Sequence, residues 1–351
     1  MAIYKMKSRL LTKISELGIQ AEIYPTYRVI REDYEDEPVD FKYNPKVIFE
    51  TSGARDNVCC NPTFSFTNIK YFIDGSRRTY VIGYMTYGEK YLPIVAGQAG
   101  AACCIREDKR LKKVRLDKNV YLLLPNVMET YEIGKITEML KSESFIALQV
   151  ETYKYKEDQD KPTVEFAIAK LNAIMQEKEL SILKWLSENK KLSSENLLVV
   201  DGSLQFKKIK DVNFDNVIGI SKTYRVNLSG ITKPKKRQLG VVLKDLDYGY
   251  RTPVFQVKDN PIGFWFLRIR QKKALMSPLD GIIKIEMFTQ GNDEILDSGM
   301  VDNISMFLVL ERNPVCYGVD KRWQNLLYPI YLTEKLLKGA FLSDRFFINL
   351  F

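Results

Sequence analysis

Apolar positions change their period along the chain, and the changes mark out elements. At the start, MAIYKMKSRLLTKI places Ile3, Met6, Leu10, Leu11 and Ile14 at helical spacing, which predicts an amphipathic helix. A strand-like AEIYPTYRVI follows, then an acidic REDYEDE from Arg31 to Glu37 and an irregular SGARDNVCCNPT. From Asn68 the pattern becomes orderly. NIKYFI, TYVIGYMTYG and KYLPIVAGQAGAACCI read as three successive strands, with KNVYLLLPN a further one. Tight links between neighbouring strands imply an antiparallel meander. Asp74-Gly75-Ser76 falls between the first two runs, and Asp-Gly in that position is, taken alone, a hairpin signal.

A helix is expected from Thr163 to Ser187, where Leu171, Ile174, Met175, Ile182, Leu183 and Leu186 share one face. After the polar ENKKLSSEN, Leu197 to Val200 is a continuous apolar run, the pattern of a strand buried on both faces. It ends in a second Asp-Gly-Ser. NVIGISKTYRV begins another strand near Asn216. PIGFWFLRIRQ, GIIKIEMF and ISMFLVLE are three more apolar stretches, and LLYPIYLTEKLLKGAFL is a helix entered after Pro329. The sum is an α/β chain: a mixed sheet of antiparallel strands followed by parallel ones, flanked by helices, with extra C-terminal strands. Residues 1–65 are expected to form an N-terminal module for dimerisation or docking, and residues 66–351 the main domain.

Composition narrows the chemistry. The 351 residues are 45% hydrophobic and 28% charged, as in ordinary globular proteins. No run of about 18 apolar residues predicts a membrane span, and the N-terminus lacks the pattern of a secretory signal. Cys59, Cys60, Cys103, Cys104 and Cys316 make a poor disulfide framework and lack zinc spacing, so reduced buried thiols in a cytoplasmic protein are expected. The chain has no histidine. That excludes Ser-His-Asp triads, Cys-His pairs and His-ligated zinc. The net charge of +9 favours a polyanionic partner, with dense basic clusters at Lys109 to Arg115 (KRLKKVR) and Lys233 to Arg237 (KPKKR). Within the second, Lys233, Lys235, Lys236 and Arg237 are candidates to contact nucleic acid; solvated surface is the competing reading.

The two Asp-Gly-Ser turns suggest a centre. If the strands before them lie side by side, Asp74 and Asp201 meet at one end of the sheet. Two such carboxylates repel unless a cation neutralises them. Hard oxygen ligands favour Mg²⁺ or Mn²⁺. A pair of these ions about 4 Å apart supports in-line attack on a phosphodiester without any histidine. Glu179 falls at the edge of the apolar stripe of its helix while Glu177 points away, so Glu179 is the third candidate ligand; a glutamate that reaches out to solvent is the alternative. Glu334 in the last helix is a fourth candidate, or an ordinary helix glutamate paired with lysine. Lys222 follows VIGIS at the edge where Asp201 should lie and suits a phosphate; an ordinary surface lysine is the alternative. Arg77 and Arg78 are further candidate phosphate contacts. Ser76 and Ser203 read as turn-capping hydroxyls.

Taken in order, YFIDGS, the long helix with EKEL, LLVVDGSL, VIGISK and YPIYLTEKL resemble the NurA family of nucleases. The resemblance runs from about residue 66 to the end, and DGSL…GISK is its most specific part. It implies a ribonuclease H-like fold and Mn²⁺- or Mg²⁺-dependent DNA cleavage, as 5′-to-3′ exonuclease and single-strand endonuclease. It further implies homodimers docked on a hexameric HerA-type DNA-translocating ATPase, in end resection or antiphage defence. By family pattern Asp74, Glu179 and Asp201 are metal ligands. Family members often carry a histidine near the terminal helix. This chain has Glu334 in that region instead. Two other readings stay open: a NurA-like DNA-binding or scaffold subunit without strong catalysis, and a ribonuclease H-type enzyme acting on RNA or hybrid.

Overall fold

The computed structural model describes the chain apart from residues 1–4, 23, 31–42, 53–57, 60–66, 144–146, 157–161, 205–213, 225–237, 258–260, 273–274, 276, 290–294 and 315–320. Helix α1 (Lys5–Glu16) precedes four short strands, β1 (Gln20–Glu22), β2 (Tyr27–Val29), β3 (Tyr43–Ile48) and β4 (Val58–Cys59). Three long strands follow: β5 (Ile69–Tyr87), β6 (Lys90–Glu107) and β7 (Arg110–Pro125). Then come α2 (Thr130–Glu143), β8 (Leu148–Tyr153), α3 (Val164–Glu188), β9 (Leu197–Asp201) and β10 (Val217–Ser221). The C-terminal part holds α4 (Leu239–Asp245), β11 (Tyr250–Arg251), β12 (Phe255–Val257), β13 (Ile262–Arg268), β14 (Ile282–Phe288), α5 (Ser298–Leu310), α6 (Tyr328–Ala340) and α7 (Asp344–Leu350).

The strands make one 14-stranded sheet whose main path runs β3-β12-β13-β14-β10-β9-β5-β6-β7-β8. At its centre β7, β6 and β5 are antiparallel, β9 runs parallel to β5, and β10 parallel to β9. Three antiparallel strands followed by two parallel ones beside the first is the expected ribonuclease H-like arrangement. β13 and β14 extend the sheet beyond β10 in antiparallel fashion, as the extra C-terminal strands. The third late apolar stretch, ISMFLVLE, forms the end of α5 and its C-cap, Glu311; Asp297 caps the start of the helix by accepting from the Met300 N–H at 2.7 Å. Of the leading segment, β1 and β2 pair with β5, and α1 buries Leu10, Leu11 and Ile14 in a cluster shared with β5, β6 and α7. Ile3 lies outside the described residues.

The first Asp-Gly-Ser is not a turn. NIKYFI and TYVIGYMTYG are one 19-residue strand, β5, which pairs with β6 from Tyr71↔Ile105 to Tyr87↔Lys90, through Asp74↔Ala102, Gly75↔Ala101 and Ser76↔Gly100. The hairpin falls at Gly88-Glu89, where Gly88 takes the positive φ of +61°. A long ladder outweighs a local turn preference, because every residue in it keeps its backbone bonds. KNVYLLLPN is the second half of β7, and the basic KRLKKVR forms the turn and the first half. That turn is tight: Asp108 and Lys109 both have positive φ, at +48° and +63°.

Small residues in β6 let helices approach both faces. A Cβ on Gly97 would lie 2.5 Å from Leu171 of α3, and one on Gly100 would lie 3.1 Å from Leu337 of α6. Below one face, α3 packs Ile182, Leu183 and Leu186 against Ile73, Leu198 and Val200. On the other, α5 and α6 cover Phe72, Val199 and Ile220 with Ile304, Leu327 and Ile330. Helices on both faces therefore flank the junction of β5 with β9.

Candidate active site

β5 outruns β9. Their parallel ladder ends at Ile73↔Val200, and β2 takes up the same side of β5 only at Val29↔Thr79. Between them, among the described residues, no strand pairs with that edge of residues 74–78, which spell Asp-Gly-Ser-Arg-Arg. The motif is thus a gap in the sheet rather than a corner of the chain. Alternation along the strands assigns the faces. Phe72 and Val199 lie in the cluster under α5 and α6, so Asp74 and Asp201, each two residues on, point to that face. Neighbouring strands are about 4.8 Å apart, which brings the two carboxylates side by side.

α6 adds Glu334 to the same face. It enters its first turn through Pro329, with Thr333 donating to the Pro329 carbonyl at 2.9 Å. Lys222, just past β10, donates to Asp201 Oδ2 at 2.7 Å. Glu334 also accepts from Lys338 one turn on. Asp74 itself is only 4% exposed. Burial, then the Asp201 and Glu334 carboxylates, push its carboxyl well above the usual range; Lys222 draws it back and Glu179 adds a further push. Burial alone would lower Lys222, but Asp201, Asp74 and Glu334 outweigh it and hold the ammonium above its ordinary pKa. Three acids and one lysine thus share a partly buried rim.

Glu179 reaches this rim from behind. It is buried on α3, and a Cβ on Gly75 would lie 2.7 Å from its Oε1. Gly75 points away from the Asp74 side, so Glu179 sits across the sheet from Asp74 and Asp201, against the glycine that leaves it room. The two arginines diverge in the same way. Arg77 faces α3 and donates to Asn172, whereas Arg78 is tied to the C-terminal turn through the Leu342 carbonyl at 3.0 Å and Asp344 at 3.3 Å. Ser76 is buried. Lys233, Lys235, Lys236 and Arg237 lie outside the described residues.

The second Asp-Gly-Ser owes its shape to residues far along the chain. Gly202, at φ +100°, turns the backbone at the end of β9, and its N–H meets the Ile220 carbonyl at 2.7 Å. The chain then folds back over Gly219 of β10, where a Cβ would lie 2.6 Å from Leu204. Glu286 of β14 closes the turn, accepting from Ser203 Oγ and the Leu204 N–H, each at 2.7 Å. Lys284, two residues away on the same face, pairs with Glu286. This physical link joins DGSL to GIS: the glycine of one makes room for the turn of the other. Asn325 steadies Lys222 by donating to its carbonyl at 3.2 Å. The sequence reading missed Glu286. Its signal was two opposite charges at i and i+2 inside GIIKIEMF, a spacing that puts both on one face of a buried strand.

The donors suit a hard divalent cation in kind: carboxylate oxygens, with no nitrogen or sulfur. Among the described residues, however, no three His, Cys, Asp or Glu side chains stand close enough to hold one metal ion in this arrangement. Lys222 and Lys338 neutralise two of the acids, and Glu179 lies on the far side of the sheet. An ion here would take over the counter-charge that Lys222 now supplies to Asp201.

No family model matches the chain, and no curated protein matches it. Among solved structures, the NurA nuclease from Sulfolobus solfataricus is similar at 13% identity, over 80% of this chain and 81% of that one, with a TM-score of 0.44. What the fold and rim define on their own terms is a ribonuclease H-like sheet with carboxylates gathered beside its first and fourth strands.

Proposed function

We propose that this chain is a NurA-like deoxyribonuclease that hydrolyses phosphodiester bonds with Mn²⁺ or Mg²⁺. The observation that carries the reading is the convergence of Asp74, Asp201 and Glu334 with Lys222 at the gap in β5. Burying like charges together is costly and yields no stability. A fold that keeps them has a use for a cation. When bound, the ion or ions would supply an activated water and stabilise the leaving 3′-oxygen. Asp74, Asp201 and Glu334 would hold it, with Glu179 supporting from behind Gly75. Lys222, released from Asp201, would bind a phosphate oxygen of the substrate as a point charge.

The resemblance to the NurA family extends the proposal. It includes 5′-to-3′ exonuclease or single-strand endonuclease action, a cytoplasmic homodimer, and work beside a HerA-type hexameric ATPase in end processing or antiphage defence. Residues 1–65 would serve in dimerisation or docking. The direct test is digestion of end-labelled DNA in Mn²⁺ and in EDTA. Asp201→Asn is expected to lower cleavage by roughly 10²–10³-fold, the scale of losing one well-placed electrostatic group, while DNA binding persists in EDTA. Cleavage at the unaltered rate would defeat the reading. A second reading, a DNA-binding subunit with little catalysis, draws on the lysines that already occupy Asp201 and Glu334. It expects no metal-dependent cleavage by the purified chain and a stable complex with its motor.

A further inference from the structure

On the same face as the acids, a cavity of about 270 Å³ opens between the β6–β7 turn, the end of α5 and the start of α6. Arg106, Lys109, Arg110, Arg312, Glu311 and Tyr328 are among its lining residues. Arg106 and Glu311 neutralise each other, and the Arg106 guanidinium also lies over the Phe72 ring. In the turn, Glu107 is paired with Lys112. Across Arg106, Lys112 and the three remaining cations, five positive charges face the carboxylates of Glu107, Asp108 and Glu311. Lys109, Arg110 and Arg312 have no carboxylate partner among the described residues. The tight turn fixes Lys109 and Arg110 at the mouth.

Aromatic rings continue the surface from this cavity toward the acids. Tyr328 is 42% exposed. Its ring lies 6.3 Å from that of Tyr331, nearly parallel at 28°, and Trp323 packs on Tyr331 at 5.1 Å. Lys335 stands over the Tyr331 ring at 5.4 Å. Tyr331 is three residues before Glu334, so the two share a helix face. From Tyr328 to Glu334 the axis rises about 9 Å, the length of two to three stacked nucleotides at about 3.4 Å each. A flat exposed ring such as Tyr328 beside a cationic groove is a means by which proteins hold single strands: bases stack and phosphates pair.

We infer that α6 and the β6–β7 turn form a track for a single nucleic-acid strand, with a base stacked on Tyr328, whose ring is backed by Tyr331, and phosphates held by Lys109, Arg110 and Arg312. The track rests on the nuclease reading for its direction, since it leads to Glu334, but its binding is measurable without cleavage. The test is fluorescence anisotropy of the full chain in EDTA with a labelled oligothymidine and a matched duplex. Tyr328→Ala is expected to weaken oligothymidine binding about tenfold, the scale of one lost base stack. Tyr328→Phe should bind like the parent, and duplex binding should change little in either variant. Joint replacement Lys109→Ala/Arg110→Ala should reduce the salt slope by about 1.4, two contacts at about 0.7 each. Equal binding by Tyr328→Ala and the parent, equal loss in Tyr328→Ala and Tyr328→Phe, or an unchanged salt slope would each overturn the track. Loss of cleavage in Asp201→Asn without any oligothymidine binding by the parent would end the track and leave the nuclease reading standing. Tyr328-dependent binding with full cleavage by Asp201→Asn would do the reverse.

Discussion

Two groups of buried acids in this molecule behave in opposite ways. Glu50 is 2% exposed, yet it is fully matched: Arg251, itself 0% exposed, gives it two N–H groups at 3.1 and 2.8 Å, and the Val254 N–H and Ser298 hydroxyl add bonds at 3.0 and 2.9 Å. Asp302 takes the remaining side of Arg251 at 2.6 Å. Burial works to raise Glu50, but these donors outweigh it and hold the carboxyl below its ordinary range. At the β5 gap the balance is reversed. Asp74 is just as buried, its neighbours are mostly other acids, and its carboxyl is pushed up. The first group joins the end of the leading segment to the C-terminal strands and is complete within the chain. The second holds more carboxylates than cations, with Lys222 on Asp201 and Lys338 on Glu334 but none paired with Asp74, and that deficit marks it as a place for something brought from outside.

The comparison breaks first at activity. Asp201→Asn should remove most cleavage, as set out above, without lowering the melting temperature, whereas Glu50→Ala should leave the acidic rim untouched and unfold the protein more easily. Removing one partner of a fully buried ion pair strands the other, at a cost of about 3–5 kcal/mol. Thermal and urea unfolding would read it. A loss under about 1 kcal/mol would mean that Arg251 finds other partners and that the contrast with the rim is overstated.

Glu286 sharpens the contrast because it belongs to both kinds. It is 0% exposed and paired with Lys284, like Glu50, but two of its bonds go to the turn that follows Asp201. Glu286→Gln should therefore lower stability and also loosen Asp201. A role in positioning would appear as a drop in kcat of about 10–100-fold with a shift in the Mn²⁺ concentration needed for half-maximal rate. A purely structural role would reduce the folded fraction and leave that concentration unchanged.

How much of this was legible in the chain depended on how far each signal reached. α1, α3 and the entry of α6 at Pro329 carry their evidence within a few turns, and the apolar run ending at Asp201 marks its own strand. β5 does not. Asp-Gly-Ser carries turn chemistry, and only the matching length of β6 and its small residues at Gly97, Ala99, Gly100, Ala101 and Ala102 reveal that the strand passes straight through. ISMFLVLE carried no type of its own for another reason: the apolar run from Met306 to Leu310 has no period to separate a buried helix from a buried strand. The side of the sheet that each acid faces was also hidden. Glu179 is core-facing on its helix, yet that core lies across the sheet from Asp74, a fact set by register and not by helical spacing.

The smallest expected effect is on stability, and its sign is the most informative. In the unfolded chain Asp74 ionises at the ordinary carboxylate pKa; in the folded chain burial, Asp201 and Glu334 delay ionisation to higher pH, against the pull of Lys222. Between those two pKa values the folded state holds a proton that the unfolded state has released, so stability falls as pH rises through that window. Asp74→Asn removes the term. It should approach the parent in stability as the pH falls below the ordinary carboxylate pKa, where the Asp74 carboxyl is neutral in folded and unfolded chains alike, and exceed it increasingly toward neutral pH. Glu50 has the opposite sign: its depressed carboxyl stabilises the fold at neutral pH and loses that contribution as the solution becomes acid. Melting curves of parent and Asp74→Asn from pH 4 to 8 in EDTA test the difference. Adding Mn²⁺ should then reverse it at neutral pH, because an ion bound only by the folded parent raises its melting temperature by mass action and the Asn variant lacks a ligand. A variant that is less stable than the parent at neutral pH in EDTA would show that Asp74 is matched within the chain, as Glu50 is, and would remove the reason to expect a cation at the gap.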